Sequence, residues 1–284
     1  MQIGNYEIQL IDAGRYKLDG GAMFGVVPRT MWQKENPPDE KNRISLSLNI
    51  LLLIKNGRLI LVDCGVGNKF SEKYQEIYAL DYTKHSLISS LAQHNVQPED
   101  VTDVIITHLH FDHVGGATYY DDEGHLKLQF PNATHYVQKR QLEWALEGFP
   151  KDRASYLPEN IEPLVQSKKL TILDGPQSPF EDIEIIISEG HTVAQQLIMI
   201  YGKNDKFIHS ADLVPLSAHI PIAWVMAYDL FPVTTIREKK ELLEKAAKEE
   251  WLLFFEHDSR VPCGIVEKGE RGFKLKMPVE LETL

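Results

Sequence analysis

Thr107-His108-Leu109-His110-Phe111-Asp112-His113-Val114-Gly115-Gly116 puts three histidines and an aspartate within six residues. The stretch directly follows Val104-Ile105-Ile106, a short apolar run that reads as a buried strand. Alternate residues of an extended chain point to one side, so His108 and His110 converge on a single cation. A turn into a helix then swings Asp112 and His113 toward a second position. Imidazole suits zinc and other borderline metals, and a carboxylate adds hard, anionic ligation. A polar cluster abutting a core strand with nothing to bind would leave costly buried groups uncompensated.

Working outward, strand-like and helix-like segments alternate along the chain. Ile44 to Lys55 and Arg58 to Val62 flank Asn56-Gly57 and read as a β-hairpin. Lys69 to Leu80, Lys84 to His94 and Lys139 to Glu147 read as helices. Further strands are expected at 170–173, 183–187, 196–201, 206–209 and 252–255, and a closing hairpin over 264–276 turning at Gly269. Thr235 to Glu250 carries an apolar stripe of Ile236, Leu242, Leu243, Ala246 and Ala247 and reads as an amphipathic helix. Strands in both halves with interspersed helices predict an α+β fold: two packed mixed sheets flanked by helices, as one domain over 1–284.

Composition removes other classes. The 284 residues are 43% hydrophobic and 25% charged, which is ordinary for a globular chain. The net charge of −11 argues against nucleic-acid binding, which requires a basic footprint. Cys64 and Cys263 are too few for a disulfide scaffold. With no basic-then-apolar leader and no apolar run near the roughly 20 residues of a membrane span, the expected location is the cytoplasm. A homodimer is the default expectation for the assembly.

On these residues the chain resembles the metallo-β-lactamase fold superfamily. His108, His110, Asp112 and His113 match its signature. His191 in Ser188-Glu189-Gly190-His191-Thr192, Asp212 in His209-Ser210-Ala211-Asp212-Leu213 and His257 in Phe254-Phe255-Glu256-His257-Asp258 follow in the family's order, each after an expected strand. The resemblance covers about Ile44 to His257 and implies a four-layer αβ/βα sandwich. It also implies two divalent cations, with zinc the ion expected. His108, His110 and His191 would hold the first, Asp112, His113 and His257 the second, and Asp212 would bridge. Asp63 would support the ligands from behind. The other histidines, His209 among them, fall outside this set.

The chemistry implied is hydrolysis by a hydroxide bridging the metals, with Asp112 and Asp212 as its catalytic carboxylates. Leu18 to Pro28 and Asp212 to Asp229 resemble substrate loops of the branch containing quorum-quenching acyl-homoserine lactonases and methyl parathion hydrolase. There Met23, Phe24, Trp224 and Met226 would line an apolar pocket for a small neutral acyl or ester substrate. The familiar lactonases place a tyrosine three residues after the bridging aspartate, where this chain has Pro215. Tyr228 and His219 are then the candidates for proton donation. An N-acyl-homoserine lactonase-like activity leads, with organophosphate triester hydrolysis as the alternative and β-lactamase or thioesterase activity behind it.

Overall fold

The computed structural model describes residues 1–281; the last three positions of the expected 1–284 domain lie outside the described residues. Two sheets form the centre. In the first, β1 (Gln2–Ile3), β2 (Tyr6–Asp19), β3 (Arg43–Lys55) and β4 (Arg58–Val62) pair antiparallel in chain order. β5 (Asp103–Ile105) then adds parallel to β4. After a separate ribbon of β6 (Thr118–Tyr120) and β7 (Leu126–Leu128), β8 (Thr134–Gln138) and β9 (Leu170–Leu173) extend the first sheet in parallel. The second sheet holds, in chain order, β10 (Ile183–Ser188), β11 (Gln195–Tyr201), β12 (Lys206–His209), β13 (Leu252–Phe254), β14 (Cys263–Gly269) and β15 (Gly272–Pro278). Only its β12–β13 pair is parallel.

β3 explains the layering. It is buried on both faces, which is why its sequence runs apolar instead of alternating cleanly. Leu46, Leu48, Ile50 and Leu52 join the core beneath the helices, whereas Leu51 and Leu53 pack toward Ile185, Ile198 and Phe207 of the second sheet. In chain order the helices are α1 (Gly20–Phe24), α2 (Arg29–Trp32), α3 (Glu72–Tyr78), α4 (Leu87–Gln93), α5 (Phe111–Val114), α6 (Lys139–Glu147), α7 (Pro158–Gln166) and α8 (Pro232–Glu249). Leu91 of α4, Leu142 of α6 and Leu164 of α7 cover the first sheet, and Leu242, Leu243 and Ala246 of α8 cover the second. The order is helices, sheet, sheet, helix, as the resemblance implied.

The Asn56-Gly57 hairpin is present, with Lys55 opposite Arg58 and both turn residues at positive φ, 53° and 78°. α8 begins three residues earlier than the stripe suggested, because Pro232 occupies the first helical position and is preorganised for it. Its buried face includes Thr235 and Lys239, while Ile236 and Ala247 are only half-buried. The stretch 18–28 is not one long loop. It is the end of β2 followed by α1, whose start is capped by Asp19 accepting from the Ala22 N–H at 2.8 Å. β2 itself hides in the sequence. Its register with β3 shifts between Asp12 and Arg15, and Gly14 sits there at φ 117°, so the alternation breaks mid-strand.

Candidate metal centre

Four strand ends from both sheets meet at one site: His108 and His110 follow β5, His191 follows β10, Asp212 follows β12 and His257 follows β13. α5 supplies Asp112 and His113. It is pressed against the 64–67 turn by Gly115 and Gly116, where a Cβ would come within 2.1 Å of the Val66 and Cys64 carbonyl oxygens respectively. Only glycine permits that approach. Asp63, at the end of β4, takes φ 67°, an uncommon conformation for a side-chain-bearing residue. Its carboxylate accepts from the Thr107 N–H (2.7 Å) and hydroxyl (2.6 Å) and lies 3.0 Å from His113 Nδ1.

The nitrogens and oxygens form overlapping groups, in which His108, His113 and Asp212 also lie within 4.8 Å of one another. His108, His110 and His191 converge with ligand atoms within 4.8 Å of one another, and so do Asp112, His113 and His257. His110 Nδ1 is 3.1 Å from both His108 Nε2 and His191 Nε2. Asp212 stands between the groups. Its Oδ2 is 3.2 Å from His191 Nε2, and its Oδ1 is 3.2 Å from His257 Nε2 and 3.6 Å from His113 Nε2. The residues assigned to each cation by resemblance are thus the residues the fold brings together.

Hydrogen bonding behind the rings tests whether cations fit. His191 Nδ1 donates to Asp229 Oδ1 (3.0 Å), His113 Nδ1 to Asp63 and His257 Nδ1 to the Ser47 carbonyl (3.0 Å). With the proton on Nδ1, each Nε2 turns a bare lone pair inward. His113 and His257 then face each other Nε2 to Nε2 at 3.2 Å. Two lone pairs at that distance repel, so the pair calls for a positive charge between them, either a proton or a metal cation. Zinc–nitrogen bonds of about 2.0–2.1 Å give ligand-to-ligand edges of roughly 3.3 Å, matching the spacings here. The field agrees. Burial opposes charge on His257, yet Asp212 drives it up to about 9, so this end favours a positive charge. In the other group, burial and the neighbouring imidazoles hold His108 and His110 well below the ordinary histidine range, keeping them neutral as ligands must be.

A cavity of about 250 Å³ opens on this centre. His110, Asp112, His191, Asp212 and His257 form its polar end, and Leu18, Met23, Tyr78, Phe111, Met226 and Tyr228 contribute its other walls. Of the residues expected at the pocket, Met23, Met226 and Tyr228 line it. Phe24 and Trp224 do not. Phe24 is fully buried, stacked between Trp32 and His219, with Trp224 edge-on to it. His219 is not brought to the cavity either: it is buried, its Nε2 bonds the Met23 carbonyl at 2.8 Å, and burial lowers it to about 4. A neutral, committed imidazole in that position holds the pocket wall.

Three residues here escaped the sequence reading. Tyr16, in the last third of β2, donates its hydroxyl to Asp112 Oδ2 at 2.7 Å and lines the cavity. Asp229 backs His191. Glu256, fully buried beside His257, lies 3.2 Å from His113 Nδ1 and 3.4 Å from His209 Nε2, and burial pushes it up to about 8. Asp63, His209 and Glu256 form a further cluster of metal-ligating types. However, His209 Nδ1 accepts the Ala211 N–H at 3.2 Å, so its proton sits on Nε2 facing Glu256, which disfavours a cation there. No short-range pattern marks these positions, since each acts through a partner distant in sequence.

Residues 46–257 match the sequence profile of the Metallo-beta-lactamase superfamily, and the chain belongs to that superfamily. Members of this superfamily use divalent metals, typically zinc. Among solved structures it is similar over its full length to a chain from Staphylococcus aureus described as a probable metal-dependent hydrolase, with TM-score 0.88, 31% identity and 100% of both chains covered. It shares the fold of a dizinc quorum-quenching lactonase solved with a product (TM-score 0.80, 22% identity, 99% and 97% covered). An N-acyl homoserine lactonase from Bacillus thuringiensis subsp. kurstaki is 25% identical over 181 residues. That match covers 61% of this chain and 62% of the relative, less than two thirds of its length. No helix among the described residues is long and apolar enough to cross a membrane.

Proposed function

We propose that this chain is a dinuclear metal-dependent hydrolase of neutral acylated lactones or related carboxylic esters. The observation that carries the reading is Asp212, whose two carboxylate oxygens each face one imidazole-containing group at 3.2 Å. When bound, two divalent cations supply a water made nucleophilic at neutral pH and polarise the carbonyl oxygen. Asp212, facing both halves, would hold a cation on each side and orient the water they activate. Met23, Leu18, Phe111 and Met226 give an acyl group an apolar surface and exclude water. Tyr228 lines the same cavity, and burial raises its phenol well above the ordinary tyrosine value, so it stays protonated and able to donate to the leaving alkoxide. Tyr16 is already committed to Asp112.

The neutrality of the substrate has its own support. Lys151 is the one lysine or arginine among the lining residues, and its three protons are all taken by backbone carbonyls. The test is an assay panel on zinc-reconstituted protein comparing a long-chain acyl-homoserine lactone, an aryl ester, paraoxon and nitrocefin by kcat/KM. The lactone is expected to lead. Paraoxon or nitrocefin turned over well above it overturns the substrate assignment, and full activity after exhaustive chelation overturns the metal mechanism.

A further inference from the structure

The loop that walls the cavity is held by two lysines from different elements. Lys239, fully buried on α8, donates to the carbonyls of His219 (3.0 Å), Pro221 (3.2 Å) and Trp224. Lys151, on the connection between α6 and α7, donates to the carbonyls of Ala227 (2.9 Å), Tyr228 (3.0 Å) and Asp229 (2.7 Å). Three successive carbonyls converging on one ammonium use all of its donors. Lys151 therefore has no proton left for a substrate oxygen and is not a binding cation.

Its place in the cavity is what gives it consequence. Lys151, Asp152, Ala154 and Ser155 form one wall, and Met226, Ala227 and Tyr228 form another. The Lys151 ammonium joins them. The 227–230 segment is otherwise anchored away from that wall, by the Ala227 N–H donating to the Ala22 carbonyl (2.8 Å), the Leu230 N–H to the His191 carbonyl (3.0 Å) and the Asp229 carboxylate accepting from His191 Nδ1 (3.0 Å). We infer that Lys151 is a specificity-determining residue: by clipping residues 227–229 to the 151–155 segment it fixes the separation of two cavity walls, and with it the length of acyl chain admitted. This rests on the reading of the cavity as an acyl site.

The test uses the full chain, zinc-reconstituted, as wild type, Lys151→Arg and Lys151→Met. Methionine keeps an apolar stem and removes every donor, whereas arginine retains donors for the carbonyls. The substrates are two series of increasing chain length, acyl-homoserine lactones and p-nitrophenyl esters. For Lys151→Met, the dodecanoyl-to-hexanoyl ratio of kcat/KM is expected to move at least roughly tenfold toward the longer chain, mainly through KM, as when a wall moves by about a methylene. Lys151→Arg should return the ratio toward wild type. Calorimetric binding of ring-opened N-acyl-homoserines to the same three proteins should show the same change in length preference independently of turnover. An unchanged ratio and unchanged binding preference in Lys151→Met with wild-type Tm and metal content overturn the inference. Ester turnover without lactone turnover overturns the lactone reading alone, and the ester series still decides the role of Lys151.

Discussion

Asp229 Oδ1 lies 3.0 Å from His191 Nδ1, on the far side of the ring from the nitrogen that faces Asp212. It does for one group what Asp63, 3.0 Å from His113 Nδ1, does for the other. Each carboxylate fixes a tautomer and raises the basicity of the inward nitrogen. The other Asp229 oxygen accepts the Met226 N–H at 3.2 Å, so one side chain aligns a ligand and the pocket wall together. Asp229→Ala is expected to weaken zinc binding by about 10–100-fold. Competition against a chromophoric chelator measures this. Affinity within twofold of wild type would show that His191 is oriented by something else.

Asp212 makes a sharper prediction. Because its oxygens face both groups, Asp212→Ala should lower the zinc content per chain and reduce kcat by more than the roughly 10–100-fold expected of a residue that only orients a ligand. Elemental analysis and steady-state kinetics report the two effects separately. Retention of wild-type metal content and kcat would sink the bridging assignment.

Tyr16 and Tyr228 both line the cavity, but only Tyr16 hydrogen-bonds a side chain of the metal-ligand set. Tyr228→Phe removes the proposed proton donor, and kcat is expected to fall by about 10²–10⁴-fold for a substrate with a poor leaving group. A p-nitrophenyl ester, whose leaving group needs no proton, should be far less affected. Tyr16→Phe removes one hydrogen bond to Asp112, so its effect should be similar on both substrates. Equal losses on both substrates for Tyr228→Phe would exclude proton donation by that phenol.

The two kinds of residue differ in how they could be read from the sequence. His108 to His113 are local: strand, turn and short helix place them within six positions, and spacing alone conveys the geometry. His191, Asp212 and His257 are legible through their resemblance, in order, to the family's pattern, each placed after a recognisable strand. Tyr16 and Asp229 act across sequence separations of 96 and 38 residues, and neither stands in a pattern that marks its target. The pocket expectation erred for a related reason. The apolar character of Phe24 and Trp224 is visible in sequence, but Phe24 is turned inward by its stacking on Trp32 and His219. The β2 bulge at Gly14 and the internal Pro163 of α7 likewise interrupt patterns that tertiary packing overrides.

His135 offers a test of the fold apart from the chemistry. It is buried on β8, with β5 and β9 on either side, and burial lowers it from 6.5 to about 4. Between those values the unfolded chain takes up a proton that the folded chain refuses. The folded state's advantage is complete above pH 6.5 and is lost as pH falls through about 4. The shift corresponds to about 3 kcal/mol. In His135→Leu that titration is absent, so the stability difference between variant and wild type should move toward the variant by about this amount on going from pH 7.5 to pH 4. Urea unfolding of both proteins in chelator makes protonation of the metal ligands common to both and removes it from the comparison. A difference that stays constant with pH would mean that His135 is charged in the folded state, or that the unfolded chain does not release it.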